Sequence, residues 1–565
     1  MLSVLISWMI ILGISLILGY GIIYYGYKAN SASMEHLDIY VICGLMIVNV
    51  YAEFFSLFYK VGAKACLGLL IIGIAMCLYY HISTHGECWR IHVSGMGWYK
   101  WVVVLLIGVA TLIWTVGYPQ HYDTSLYHYQ AIKWIEEYGV VPGLGNLHNR
   151  FAYNSAFMPL QALFSFEWLI GQSLHTVNGF LCFFFLSYAA VTNRMWEKKK
   201  PVLSDLLKIA TFIYVWYNRS TISSPSSDTL TMLLILYICT KWSEFAEENI
   251  EDEKVYGFLC ILCVYAVSVK LSAAVCVILV VWPAVRMIRK RRTGLIAAYI
   301  IWGIVIIAPW LIRNVIISGY LLYPYPQIDL FNVDWKMPAS VLTYDSREIM
   351  VWGRRVFEVE QYGKPIWEWF PKWFMETSPF IVTLGIIGTI GCVISMFIKV
   401  KNRKGDIKRD ILGIYGVVAI IAWLFSAPLI RYGMVYVLIP VCICIADLME
   451  RDGNKKFVIA LNILLMLVLI PTGAGYMASI EEIGDRQRIR QEDYEWRLTT
   501  NRELKAGIKV WLPTEGDQSS ADVFPCVPYG AMLDKIELRG DGLKEGFRMK
   551  AEYKDMHLNE YGHEW

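Results

Sequence analysis

The chain has 565 residues, 56% of them hydrophobic and only 18% charged, and its mean hydropathy is +0.45. A soluble globular chain is about a quarter charged, so this composition excludes an ordinary soluble enzyme and points to a membrane protein. The net charge of +3 is too small to argue for a nucleic-acid partner.

The N-terminal stretch MLSVLISWMIILGISLILGYGIIYYGY has no basic residue ahead of its apolar run and is too long for a cleaved signal peptide. It reads as a retained membrane helix. Further runs long enough to cross a bilayer, or nearly so, lie at 38–59, 64–83, 98–118, 174–193, 204–219, 226–243, 255–269, 271–288, 294–316, 376–400, 411–427, 430–448 and 457–475. With ~20 apolar residues per crossing, about fourteen transmembrane helices are expected. Most of the 13 cysteines lie inside these runs and read as small apolar packing residues. Cys260 and Cys263 are one helical turn apart, with no histidine or carboxylate beside them.

Orientation follows from lysine and arginine. The segments NRMWEKKK (193–200), RMIRKRR (286–292), KVKNRKGDIKR (399–409) and RDGNKK (451–456) are basic and are expected in the cytoplasm. Threading the helices between them puts loops 119–173 and 317–375 outside, together with the N-terminus and the tail after 476. In the tail, IKVWLP and KIELRG read as strands and RGDG as a turn. The expected fold is therefore an all-α polytopic membrane protein carrying a small α+β extracytoplasmic domain over 476–565.

Loop 119–173 begins YPQHYDTSLYHYQAIKWIEEYGVVPG. Residues 124–138 read as a helix, with Asp123 at the N-cap position and Gly139 closing it. Tyr127, Ala131, Trp134 and Tyr138 share one face, which suits a helix lying at the membrane interface. A second interfacial helix is expected near 154–170. An aspartate before Thr-Ser-Leu is an ordinary helix cap; the same carboxylate at a membrane surface is equally a candidate general base. His128 likewise reads as an interfacial polar residue or as a reactive one.

Taken together, these segments resemble the GT-C superfamily of membrane glycosyltransferases, with the nearest likeness to lipid-A aminoarabinose transferases and protein O-mannosyltransferases. The stretch DTSLYHYQAIKWIEEYGVVPG is similar to the family's acidic interfacial loop. SSPSSDTLTMLLILY sets Asp228 at an outer helix end. AVSVKLSAAVCVILVVW is similar to the Thr-Lys-Gly element, with Lys270 in place and Leu271 where the family has glycine. RNVIISGYLLYP (313–324) and SAPLIRYGMVYVLIP supply Arg313 and Asn314, then Arg431 and Tyr432. The resemblance covers roughly 98–450, leaving 1–97 as additional N-terminal helices. The tail resembles those of bacterial membrane proteins of polysaccharide-synthesis type.

The resemblance implies transfer, with inversion, of a sugar from a polyprenyl-phosphate donor to an extracytoplasmic glycan, lipid or protein at a bacterial plasma membrane. Asp123 would be the general base. Lys270, Arg313 or Arg431 would stabilise the departing phosphate, and Tyr127, His128, His148, Arg150, Asp228, Asn314 and Tyr432 would contact substrates. The sequence supplies no ligand set for a divalent metal, so no cofactor is expected. Rival expectations are a flippase or transporter for lipid-linked sugars, a polysaccharide polymerase or ligase, and a noncatalytic assembly subunit.

Overall fold

The computed structural model describes residues 1–27, 34, 36–84, 97–195, 202–401, 406–452, 489–504 and 507–555. Its helices are α1 (Leu2–Tyr27), α2 (Leu37–Ser56), α3 (Ala63–Thr84), α4 (Trp98–Val116), α5 (Tyr129–Tyr138), α6 (Leu144–Leu147), α7 (Phe157–Leu163), α8 (Glu167–Ile170), α9 (Val177–Thr192) and α10 (Leu203–Tyr217). There follow α11 (Ser227–Glu247), α12 (Glu253–Val269), α13 (Val277–Arg289), α14 (Thr293–Ser318), α15 (Ala339–Gly353), α16 (Ile366–Thr377), α17 (Pro379–Lys401), α18 (Ile407–Phe425) and α19 (Ile430–Asp452).

Thirteen of the fourteen apolar runs are helical here. The fourteenth, 457–475, lies outside the described residues. Among the described residues, eight helical segments are long and apolar enough to cross a membrane: those of α1, α2, α3, α4, α14, α17 and α19, and the segment Leu271–Arg289 that contains α13. The remaining five fall short of that measure in length or apolarity.

The helix ends remote from the site are tied by ion pairs. Lys241 on α11 meets Asp38 of α2 at 2.8 Å and Lys208 meets Glu244 at 2.7 Å. Lys399 of α17 meets Asp447 of α19 at 2.6 Å. Lys241 is thirteen residues beyond Asp228 on the same helix, roughly 20 Å along its axis. Charges placed this far from the other end are paired because an unpaired charge in an apolar bundle is costly.

The first loop differs from its expectation. Helix 124–138 begins with a π-helical turn, Thr124–His128, before α5. Its aromatic face meets protein rather than lipid: Trp134 is fully buried, with ring centroids 4.8 Å from Phe524 and 5.9 Å from Phe547 of the tail. The expected helix 154–170 is broken into α7, whose residues are all buried, and α8, where Trp168 and Leu169 are exposed. In 317–375, α16 buries Trp369 and Trp373 and exposes Trp367 and Met375.

The tail forms two antiparallel hairpins, β1 (Thr499–Glu503) with β2 (Lys509–Pro513), and β3 (Ile536–Leu538) with β4 (Phe547–Met549). β2 and β3 fall on the two runs read as strands. The tail shares an apolar core with the two loops, in which Trp134, Leu147, Leu342, Val510 and Phe547 are members. Arg539 holds Asp334 with two hydrogen bonds, at 2.9 and 3.0 Å.

Gly139 ends α5 with φ +80°. Val140 N–H then donates to Ser56 O at 2.9 Å, seaming the first loop to the end of α2. A Cβ at Gly139 would lie 2.5 Å from Ser56 O and 2.7 Å from Tyr59 O. Gly139→Ala is therefore expected to cost at least about 1–3 kcal/mol, from a left-handed backbone and a collision with carbonyls. Thermal unfolding of the detergent-solubilised variant measures this; an unchanged midpoint would show that the seam can give way.

Candidate functional site

Four segments bring charge to one place. The first loop supplies His121 and Asp123. Asp228 stands in the first turn of α11, whose N-cap Ser226 accepts from the Asp228 N–H at 3.3 Å. Lys270 lies in extended backbone (φ −153°, ψ 123°) between α12 and the 3₁₀ turn Leu271–Cys276. Arg431 and Tyr432 open α19.

Asp123 makes no capping hydrogen bond, so the cap reading is corrected. The π-helical turn carries the carboxylate outward, and its Oδ2 accepts from Arg431 Nη2 at 2.9 Å. Asp228 Oδ1 is ion-paired with Lys270 Nζ. Lys270 Nζ also lies 3.7 Å from the centre of the Tyr432 ring, and Arg431 Nη2 donates to the Tyr432 hydroxyl at 2.7 Å. Two carboxylates and two cations thus alternate around one tyrosine, and their charges cancel.

The arrangement leaves donors over. Arg431 Nε is buried without a hydrogen bond among the described residues, 3.9 Å from Asp228 Oδ2. Arg431 Nη1 faces His121 Nε2 at 2.9 Å, while His121 Nδ1 accepts from the Asp123 N–H at 3.1 Å. A neutral imidazole offers one lone pair to a donor, so the two N–H groups compete for it. Burial holds His121 below the ordinary histidine range and pushes His128 down to about 3, keeping both neutral. Burial pushes the Asp123 carboxyl up, but Arg431, then His121, His128 and Arg150, outweigh it and hold it well below the usual range.

The quartet opens into a cavity of about 700 Å³. Of the eleven residues singled out in the sequence, nine line it: Asp123, Tyr127, His128, Arg150, Asp228, Lys270, Asn314, Arg431 and Tyr432. One wall is apolar, built by Ala274, Val275, Ala419 and Ala422. Across from the quartet Arg150 Nη2 lies 3.7 Å from Glu348 of α15. Burial raises the Glu348 carboxyl against the opposing effect of Arg150. One turn earlier Asp345 is buried and accepts from Asn149 at 2.7 Å and Tyr153 at 2.8 Å. Burial and then Glu348 push its carboxyl up to about 7.

Arg313 and His148 are the two of the eleven that do not line the cavity. Arg313 is turned into the protein, donating to Ser56 Oγ at 2.5 Å and to Asn154 Oδ1 at 3.0 Å. It feels the carboxylate of Glu53 on α2, whose two oxygens are buried with no hydrogen bond among the described residues. The two hydrogen bonds of Arg313, to Ser56 and Asn154, fix its direction. Arg313 thus reaches the cavity only through Asn154, which lines it and whose Nδ2 also donates to Asn314 Oδ1 at 3.0 Å. His148 is buried away from the cavity, accepting from the Arg150 N–H at 3.2 Å.

Residues 1–438 match a family described as Domain of unknown function (DUF8201). The chain belongs to that family. The match takes in the first three helices, outside the 98–450 stretch that carries the resemblance above, and it ends within α19. No curated protein and no solved structure matches the chain. All four members of the charged quartet lie inside the DUF8201 region; the tail lies beyond it. Among the described residues, no group of three or more histidines, cysteines or acids is arranged to hold a metal ion.

Sequence reasoning passed over His121, Asn154, Glu348 and Asp517, all at or beside the cavity. His121 stands two residues ahead of Asp123 in a stretch already singled out, which was the available signal. Asn154, Glu348 and Asp517 come from segments with no motif around them, and only folding places them here.

Arg313→Met would leave Ser56 Oγ and Asn154 Oδ1 without this donor and is expected to lower stability by about 1–3 kcal/mol. Denaturation of the variant and wild type in detergent measures the loss; an unchanged midpoint would show that these two hydrogen bonds do not stabilise the fold.

Proposed function

We propose that this protein is a membrane glycosyltransferase that moves a sugar from a polyprenyl-phosphate donor onto an acceptor hydroxyl with inversion. The observation that carries the reading is the state of Arg431. It has an unpartnered buried N–H and a second N–H competing for His121, at the end of a cavity with an apolar wall. Two such donors side by side suit a phosphate oxygen, and the wall suits the first isoprene units of a lipid tail.

In this reading the donor phosphate settles between Arg431 and Lys270. It competes with Asp123 for Arg431, so the carboxylate regains basicity as the donor binds. The acceptor oxygen then attacks the anomeric carbon as its proton passes to Asp123. The bond from that carbon to the phosphate oxygen breaks, and the electron pair leaves with the phosphate. Arg431 and Lys270 stabilise the charge that grows there. Tyr127, His128 and Asn314 are the adjoining substrate contacts. Fourteen crossings, basic ends in the cytoplasm, and loops 119–173 and 317–375 and the tail outside complete the topology at a bacterial plasma membrane. A flippase for lipid-linked sugars would use the same phosphate contacts, but gains nothing from a carboxylate whose basicity changes with donor binding. A polymerase or ligase differs from the main reading only in its acceptor.

Asp123→Asn should leave insertion and folding intact and reduce transfer on the order of 10²–10⁴-fold. Consumption of a polyprenyl-phosphate sugar by reconstituted protein measures it, and undiminished turnover in the variant would remove the base. The acid limb of the pH profile is a second test. Asp123 must be ionised, and Arg431 holds its pKa low in the free protein. The acid limb of kcat/KM, which reports free protein, should therefore lie at lower pH than that of kcat, which reports the donor complex. Coincident limbs, or the reverse order, would contradict release of Asp123 by the donor.

A further inference from the structure

Asp517 is the one described tail residue that lines the cavity. It arrives on a strap, residues 517–526, laid along the start of the helix that carries Asp123. The Ser519 N–H donates to Ser125 O at 2.8 Å. Gln130 Nε2 donates to Ser520 O at 2.9 Å and to Val523 O at 3.1 Å, and Gln130 Oε1 accepts from the Cys526 N–H at 3.1 Å. Tyr129 hydroxyl donates to Ala521 O at 2.9 Å. Gln130, Ser520 and Cys526 are buried, so this is a fixed join between tail and loop.

At the end of the join, the Tyr122 hydroxyl donates to Asp517 Oδ2 and Gln518 Nε2 donates to Oδ1 at 3.0 Å. Tyr122 is the residue immediately before Asp123 and is 55% exposed. The cavity therefore has two sides of different chemistry. The helix side is apolar and ends in the cations. The loop side is a rim that includes Tyr122, Asp517, Arg150, Glu348, Tyr325 and Trp352: two carboxylates, one cation and three aromatic rings. A lipid has no use for that rim. An extended peptide needs unpaired backbone groups to pair with, and five of the strap's, the N–H groups of Ser519 and Cys526 and the carbonyls of Ser520, Ala521 and Val523, are already bonded to the first loop. Rings that pack on the apolar face of a pyranose, with carboxylates that accept its hydroxyls, do fit.

We infer that the tail strap and the first loop together form a carbohydrate-binding acceptor subsite, with Asp517 and Tyr122 contacting the acceptor beside Asp123. This narrows the acceptor to a glycan and rests on the glycosyltransferase reading for its position in the reaction; the binding itself does not. The DUF8201 region alone carries the cations, and the tail adds acceptor selection.

The test uses full-length protein in lipid nanodiscs with neutral oligosaccharides of graded length, a serine- and threonine-containing peptide as the contrasting probe, and saturation-transfer NMR without donor. Wild type should bind at least one oligosaccharide and not the peptide. Asp517→Asn and Tyr122→Phe should each weaken oligosaccharide binding about tenfold, the scale of a lost hydrogen bond to a charged group. With donor present they should raise the acceptor KM more than they lower kcat. Asp517→Glu, which keeps the acceptor oxygens, should recover part of the affinity; this separates contact from a general loss of structure. Oligosaccharide affinity equal in wild type and Asp517→Asn, no oligosaccharide bound by wild type, or the peptide bound instead would each overturn the subsite. Oligosaccharide binding that Asp517→Asn weakens, in protein that never consumes a polyprenyl-phosphate sugar, would overturn glycosyl transfer and leave the subsite standing.

Discussion

The contact between Asp123 and Arg431 ties together segments that are 308 residues apart in sequence. One partner is on a loop that has just left α4; the other opens α19. Such a pair holds only if each charge is otherwise surrounded by groups that prefer it charged. Asp228, Lys270 and the face of Tyr432 meet that condition here, two of them through ion pairs and one through its ring. The quartet is electrically neutral, which is why it can lie below the surface of an apolar bundle. It is not fully satisfied as a hydrogen-bonding unit: Arg431 Nε has no hydrogen bond among the described residues, and the proposed phosphate contact rests on that unmet donor.

The same rule orders the rest of the bundle. Asp38 with Lys241, Glu244 with Lys208 and Asp447 with Lys399 close the helix ends remote from the site. Glu53 of α2 and Arg313 of α14 depart from the pattern: they make no ion pair among the described residues, and both Glu53 oxygens lack a hydrogen bond there. The first of these groups are matched pairs with short contacts and serve to hold helices in register. The quartet and the Glu53 region keep unmet polar atoms. The quartet adjoins the cavity of about 700 Å³.

The helices were legible in the sequence because a run of apolar residues long enough to cross a bilayer has few other uses. Two of the four described strands of the tail, β2 and β3, were legible as short alternating runs bounded by turn residues; their partners β1 and β4 were not read. The aromatic face of α5 was read correctly as a face and wrongly as to its partner. Tyr127, Trp134 and Tyr138 suit lipid headgroups and a protein core alike, and nothing local distinguishes them. Asp123 shows the same limit: its position before Thr-Ser-Leu was visible, but a π-helical turn, not visible in a one-residue pattern, frees its carboxylate from capping. Arg313 carried the same helix-end signal as Arg431. What separates them is the pair of acceptors that take up Arg313, Ser56 at the end of α2 and Asn154 in the first loop, both far from it in sequence.

The strap has a consequence for how the protein is made. Ribosomes deliver the chain in order, so the quartet's four segments exist before residues 517–526 do. Until then the amide of Gln130, buried in the finished protein, faces water on its own, and the carbonyl of Ser125 has no tail N–H to accept. The bundle must therefore insert with its first loop provisionally solvated and be sealed afterwards by a segment that has to reach the same side of the membrane. The two parts of the cavity are thereby completed in sequence: the cations arrive with the helices, and Asp517 waits for the last part of the chain.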